Sequence, residues 1–188
     1  MDRQQIRRLR LRVAAKLMLS VGFVGILYVV LSMMFSSNPD SKVVPTKVVD
    51  IGGMRAGEVR IVLWEGRPVM IYHRTDGQVQ ALKAADPRLH DAASTHSRQP
   101  AWAKNEQRSS VPEYFISIGV GTDFSCPIDL LPASEQPFMG QPWSGGFVDE
   151  CRGARYDFAG RVYSGQYADQ NLIVPAYRIN GKVLILGG

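Results

Sequence analysis

From position 17 to position 35 the chain carries no charged residue and nothing more polar than Ser20, Tyr28 and Ser32. Few structures accommodate such a stretch. A buried helix of a soluble protein is rarely apolar on every face, and within a bilayer an isolated segment satisfies its own backbone only as a helix. At helical rise this roughly 19-residue run spans the ~30 Å hydrocarbon core. A single transmembrane helix over residues 17–35 is therefore expected. A cleavable signal peptide is the rival reading, but the run is long and ends in MMFSSNPD, with no A-x-A site.

The basic segment before it, residues 1–16, sets the direction of insertion. Arg3, Arg7, Arg8, Arg10, Arg12 and Lys16 against Asp2 give this segment a charge equal to the whole-chain excess of +5. The positive-inside bias then puts the N-terminus in the cytoplasm and everything beyond Ser36 in the periplasm of a bacterial inner membrane, a single-pass arrangement. The rest of the chain is formally neutral, so the positive total does not signal nucleic acid, and no nucleic-acid partner is expected. Arg7 and Arg8 give only a weak twin-arginine export signal, because topology already explains the cluster. Gly22 and Gly25 lack the four-residue spacing of a helix-dimer face.

Residues 36–46, SSNPDSKVVPT, read as a linker or hinge, and residues 47–188 as a periplasmic head. Within the head, residues 58–64 alternate in part, with Val59, Ile61 and Leu63 on one face, which predicts a strand. Glu65, Gly66 and Arg67 turn it into a second strand at 68–74, completing a hairpin. Thr75, Asp76 and Gly77 make a further turn, and residues 78–85 are rich enough in helix formers for a short helix. Residues 86–111 are polar and irregular, a long loop insertion. Residues 114–120 predict a strand, and residues 172–179 and 182–186 two more joined at Asn180 and Gly181. His73 reads as a structural or surface imidazole, and the spacing of His90 and His96 does not resemble a metal site.

Two loops hold the two cysteines of the chain. Residues 119–131 contain GVGTDFSC, ending at Cys126. Residues 143–163, WSGGFVDECRGARYDFAGRVY, carry Cys151 and have the glycine-rich composition of a loop and tight turn between strands. Trp143, Gly145, Gly146, Cys151, Gly153, Tyr156, Asp157, Gly160 and Arg161 fall without a gap on the pattern W-x-G-G-Y-x-C-P-C-H-G-S-x-(Y/F)-D-x-x-G-R. The preceding residues 100–126, PAWAKNEQRSSVPEYFISIGVGTDFSC, match P-A-Y-A-R-N…P-E-Y-L-V-L-V-G-I-C-T-H-L-G-C. In both loops the chain resembles the Rieske iron–sulfur subunit of the proteobacterial cytochrome bc complex. The run WEGRPVMIYHRT is again similar to that family.

The resemblance implies a fold: a single N-terminal transmembrane helix, then an all-β Rieske-like head of antiparallel sheets with a short helix and the long loop insertion. In that family the first Cys and the His of each loop hold a two-iron cluster, and the remaining Cys of each loop join in a disulfide. The shared register puts Cys126 and Cys151 on the disulfide positions. In an oxidising compartment the bridge would close a loop of about 24 residues, worth on the order of 3 kcal/mol in the chain-entropy model. A redox-active role for the pair is the alternative, which no C-x-x-C spacing supports. The same register puts Gly121 and Asp149 on the thiolate positions and Asp123 and Arg152 on the imidazole positions. The expectation that follows is no cofactor: no 2Fe–2S cluster and no metal. Sliding Cys126 onto the first thiolate position instead would put Ile128 where the histidine belongs and break the match before Gly121.

Asp123, Asp149 and Arg152 should then converge at the loop tip. Either the two carboxylates pair with the one guanidinium, or the three are solvated charges. Tyr167 and Asp169 replace both prolines of the family's cluster-covering loop. Ala154 replaces a hydroxyl-bearing serine, and Tyr156 is expected to pack.

Three functions are compatible with these residues. The leading one is a membrane-anchored accessory or structural subunit of a respiratory electron-transfer complex, with the lipid bilayer and the membrane subunits of that complex as partners. The second is a periplasmic binding or assembly module that uses the altered tip, with Asp149, Arg152, Tyr167 and Asp169 as recognition groups. The third is an electron-transferring subunit of a quinol:cytochrome c oxidoreductase. The first leads because Arg152, a permanent cation, cannot accept a hydrogen bond from a quinol. No Ser-His-Asp, paired-carboxylate or phosphate-loop constellation supports an independent enzymatic activity.

Overall fold

The computed structural model describes residues 3–35, 45–84 and 86–187. The chain divides into two compact units, Met1–Val43 and Val44–Gly188. The described residues of the first form one helix, α1 (Arg3–Phe35). It runs without a break through the basic segment, because arginine and leucine are good helix formers and nothing there interrupts the backbone ladder. Its stretch Arg3–Met33 is long and apolar enough to cross a membrane. Ser20 donates to the carbonyls of Lys16 and Leu17, and Ser32 to that of Val29, so both hydroxyls are satisfied inside the helix. Of the linker expected at residues 36–46, all but the last two residues lie outside the described residues.

The second unit is built from antiparallel sheets. Its first strand, β1 (Lys47–Asp50), pairs with its last, β11 (Val183–Leu186), which also pairs with β10 (Tyr177–Asn180). A second sheet is formed by β2 (Val59–Trp64), β3 (Arg67–His73) and β4 (Tyr114–Ile118), with β3 in the middle. On β2 the alternation holds, but Ile61 and Leu63 point outward, while Trp64 is the buried residue.

The third sheet carries the two loops: β5 (Ile128–Leu131), β8 (Gly146–Asp149) and β9 (Arg155–Tyr156), with β8 central. The hairpin of β6 (Ser134–Phe138) and β7 (Gln141–Trp143) sits between β5 and β8 in sequence. Phe115 from β4 stacks on Phe147 from β8, and Tyr72 from β3 meets the edge of Phe147, so the second and third sheets share one aromatic core.

Two elements differ from expectation. The short helix, α2 (Asp76–Ala81), starts two residues earlier than residue 78. Thr75 accepts from the amide of Gln78 while the Gln78 side chain accepts from the amide of Thr75, a capping box that absorbs the expected turn. The strand expected over 172–179 is reduced to β10 at its end. The amides of Leu172 and Val174 go instead to the carbonyls of Gly160 and Arg98, outside any strand ladder.

The irregular insertion is tied down by its own polar groups. Asp91 accepts from Thr95, His96 and Ser97, while Asn171 donates to the carbonyl of Asp91 and to Ser94. Burial pushes the Asp91 carboxyl up, but these hydrogen bonds to its charged form outweigh it and leave the group below the ordinary aspartate range.

Candidate functional site

The two loops meet through the pairing of β5 with β8, where Ile128 stands opposite Asp149. Outside the strands the amide of Glu150 donates to the carbonyl of Pro127, and that of Gly121 to Cys126. Cys126 and Cys151 are joined in a disulfide, with their Cα atoms 5.9 Å apart. Gly146 is obligatory at the root of the second loop: at its φ of +152° a side chain would run into the backbone of Tyr156.

The side chains at the tip form two arrangements rather than one. Arg152 makes an ion pair with Asp123 at 3.2 Å, and its guanidinium lies 3.9 Å from the Phe124 ring centroid and 4.8 Å from that of Tyr167. Both rings are largely exposed, 60% for Phe124 and 73% for Tyr167. Asp149 does not join this pair. It is buried, and its Oδ1 accepts from the amides of Cys151 and Arg152 at 2.9 and 3.0 Å, capping the turn between them. Its Oδ2 lies against Gly121. Of the two arrangements open for these residues, paired or solvated, the structure has a part of the first: Asp123 alone meets Arg152, and Asp149 finds its donors in the loop backbone. Asp169, the other replacement of a loop proline, makes no hydrogen bond or ion pair among the described residues.

Beneath the tip, Tyr156 is wholly buried. Thr122, close to it, donates its hydroxyl to the carbonyl of Gln170, and the Tyr156 hydroxyl is left without a partner. Burial pushes its pKa up to about 12, and that of Tyr163 likewise to about 12.

The second loop is also fixed by two arginines that no motif pointed to. Arg74 donates to the carbonyls of Phe158, Pro112 and Gln107 and to Ser109. Arg108 donates to the carbonyls of Ala159, Gly160 and Leu172 and to Gln99. Both are buried, and neither makes an ion pair among the described residues. Desolvation lowers the pKa of each, partly offset by the charge of Asp157.

Among the described residues, the histidines lie apart from the loops' ligand positions. His73 bonds through Nδ1 to the carbonyl of Met54 and stacks on Tyr114. The amides of His90 and His96 are engaged with Val162 and Asp91. One grouping has ligand-like proximity: Cys126, Asp149 and Cys151, whose candidate atoms lie within 4.8 Å of one another.

No family model matches the chain. Three relatives do. The ubiquinol-cytochrome c reductase iron-sulfur subunit of Allochromatium vinosum is 33% identical over 100% of this chain and 92% of its own length. The subunit of that name from Rhodospirillum rubrum is 29% identical over 90% of this chain and 86% of its own. The mitochondrial cytochrome b-c1 complex subunit Rieske of Schizosaccharomyces pombe is 30% identical over 81% of this chain, which spans 59% of that longer protein. Among solved structures, a chain of a hyperthermophilic respiratory Complex III aligns over 92% of this chain and 97% of its own, with 17% identity and a TM-score of 0.42.

These relatives overturn the expectation of no cofactor. They are iron–sulfur and Rieske subunits by name, and a two-iron, two-sulfur cluster is the group that kinship with them implies. The side chains at the positions assigned by the resemblance do not match a set of two thiolates and two imidazoles. Gly121 offers no donor, Asp149 is committed to two amides and to the space beside Gly121, Arg152 is a cation, and the two cysteines are bonded to each other.

Proposed function

Because the chain belongs to the family of Rieske iron–sulfur subunits of ubiquinol-cytochrome c reductase, we propose that it is a membrane-anchored subunit of a bc1-type respiratory complex. Its head presents the paired-loop tip to the other subunits. The excess of arginine before α1 supports a cytoplasmic N-terminus and a periplasmic head.

The observation that carries this reading is the composition of the tip. Phe124 and Tyr167 stand exposed beside an arginine already oriented by Asp123. Exposed aromatics around an ordered guanidinium are the residue types that dominate protein–protein contacts. A guanidinium donates and does not accept, so residue 152 acts by docking rather than by taking a proton from a quinol. Its contribution is that of an accessory, structural subunit. A second reading, electron transfer, is favoured by identity that extends over the whole chain to an iron–sulfur subunit.

Affinity isolation of the full-length chain in mild detergent, with iron and acid-labile sulfide assays and an EPR spectrum after dithionite reduction, separates the readings. Stoichiometric haem-bearing membrane subunits are expected to accompany it. A partner present only transiently would make the head an assembly module instead. A stoichiometric two-iron signal would establish the electron carrier.

A further inference from the structure

One buried guanidinium has unused donors. Arg161 is almost wholly enclosed, with 4% of its side chain exposed, and its Nε donates to Asp157 Oδ2 at 2.7 Å. Arg74 and Arg108 spread their hydrogen bonds over all the nitrogens of the guanidinium. The two terminal amino groups of Arg161, by contrast, have no acceptor among the described residues. Although the side chain as a whole is enclosed, these amino groups are not among its sealed-off atoms, so an acceptor entering from outside can reach them. Arg161 lines two neighbouring cavities, one of about 310 Å³ with Leu82, Ala84, Ser144, Phe158 and Tyr163, and one of about 200 Å³ with Ala92 and Glu106.

We propose that the larger cavity binds a small organic monocarboxylate, held by the free edge of Arg161. The two terminal amino groups of a guanidinium present parallel N–H donors that match the two oxygens of one carboxylate. Asp157 and Asp86 also line this cavity, paired with Arg161 and with Arg88 at 2.7 Å, so any negative charge on the occupant beyond the one carboxylate held by the guanidinium edge would be repelled. Leu82 and Phe158 supply an apolar wall for the body of the ligand. The volume is at the small end of the range for ligand pockets. Because Gly145, Phe158 and Arg161 belong to the second loop, an occupant would also brace that loop.

The test is calorimetric titration of benzoate into the full-length chain in nanodiscs, with empty nanodiscs subtracted and benzamide as the neutral isostere. Saturable one-to-one binding of benzoate in the millimolar range is expected, with no saturable binding of benzamide. Arg161→Lys, which keeps the charge but loses the fork, and Ala84→Phe, which fills the cavity from an exposed position, should each weaken binding by about tenfold or more. Absence of saturable benzoate binding, equal binding of benzamide, or unchanged affinity in a folded variant would each overturn the assignment. Should Arg161→Lys fail to fold, Ala84→Phe decides the question alone.

Discussion

The carboxylate of Asp149 fills the space that a side chain at residue 121 would need: its Oδ2 stands beside Gly121 at the point where a Cβ would project. The two residues lie on different loops, and each fits only because of the other. Gly121→Ala should push Asp149 off the amides of Cys151 and Arg152 and destabilise the head by about 1–3 kcal/mol. Adding Asp149→Gly should cost less in the Gly121→Ala background than in the wild type. A double-mutant cycle by denaturant unfolding that gave strictly additive effects would show that the two are not coupled.

The disulfide should contribute about 3 kcal/mol. Cys126→Ser with Cys151→Ser, compared with the wild-type head by urea unfolding, is expected to lower the midpoint accordingly. The ion pair at the tip should survive in that variant, since the pairing of β5 with β8 also holds the loops together.

The exposed pair of Arg152 with Asp123 is a smaller matter. Surface ion pairs contribute little, and the two ring contacts add a modest amount. Arg152→Ala should cost about 1 kcal/mol and shift the melting temperature by a few degrees, whereas loss of the complex partners on affinity isolation should be the larger effect. An unchanged subunit composition with Arg152→Ala would remove the tip from the docking surface.

Arg108→Met should be far more damaging. It would strand the carbonyls of Ala159 and Leu172 in the interior, while that of Gly160 would keep the Leu172 amide, a loss of about 3–5 kcal/mol. Arg108→Lys should recover only part of it, because one ammonium group cannot reach all of these acceptors. Near-native stability of the lysine variant in thermal unfolding would contradict the bonding described.

Tyr156 ties stability to alkaline pH. Burial raises its folded pKa to about 12, above the ordinary value of about 10. The stability from keeping it protonated is fully present below about pH 10 and is lost as the pH rises toward about 12. Tyr156→Phe, which also removes an unpartnered hydroxyl, should be no less stable at neutral pH and should lose less stability between these limits. Parallel curves for the two proteins would show that Tyr156 does not contribute to that slope.

The paired loops could be read because their glycines and cysteines fall on the pattern of the Rieske family, and that resemblance implied the disulfide of Cys126 with Cys151. The start of α2 was misplaced by two residues: Asp76 and Gly77 resemble a turn, and that hid the capping-box spacing of Thr75 and Gln78. The rest was hidden for a physical reason. Arg74 and Arg108 bond mainly to backbone carbonyls, which have no signature in sequence, and an arginine in a polar stretch reads as solvated. For the same reason residues 172–176 look like a strand by composition, while their backbone groups serve Gly160, Arg98 and Arg108. At the tip, sequence brought Asp123, Asp149 and Arg152 together, but it could not show that loop amides outcompete a guanidinium for Asp149.

The pairing of β1 with β11 also bears on how the head is assembled. Lys47 stands opposite Leu186, so the first strand of the head to be synthesised has no ladder to join until the last one arrives. Until then its backbone groups are an open template, with Val48 exposed beside them, the kind of edge that recruits other chains into aggregates. Closure over so long a span is slow. The head is therefore most vulnerable to misassociation while newly made, and a chaperone that shields residues 47–50 should matter more to its yield than to its final stability.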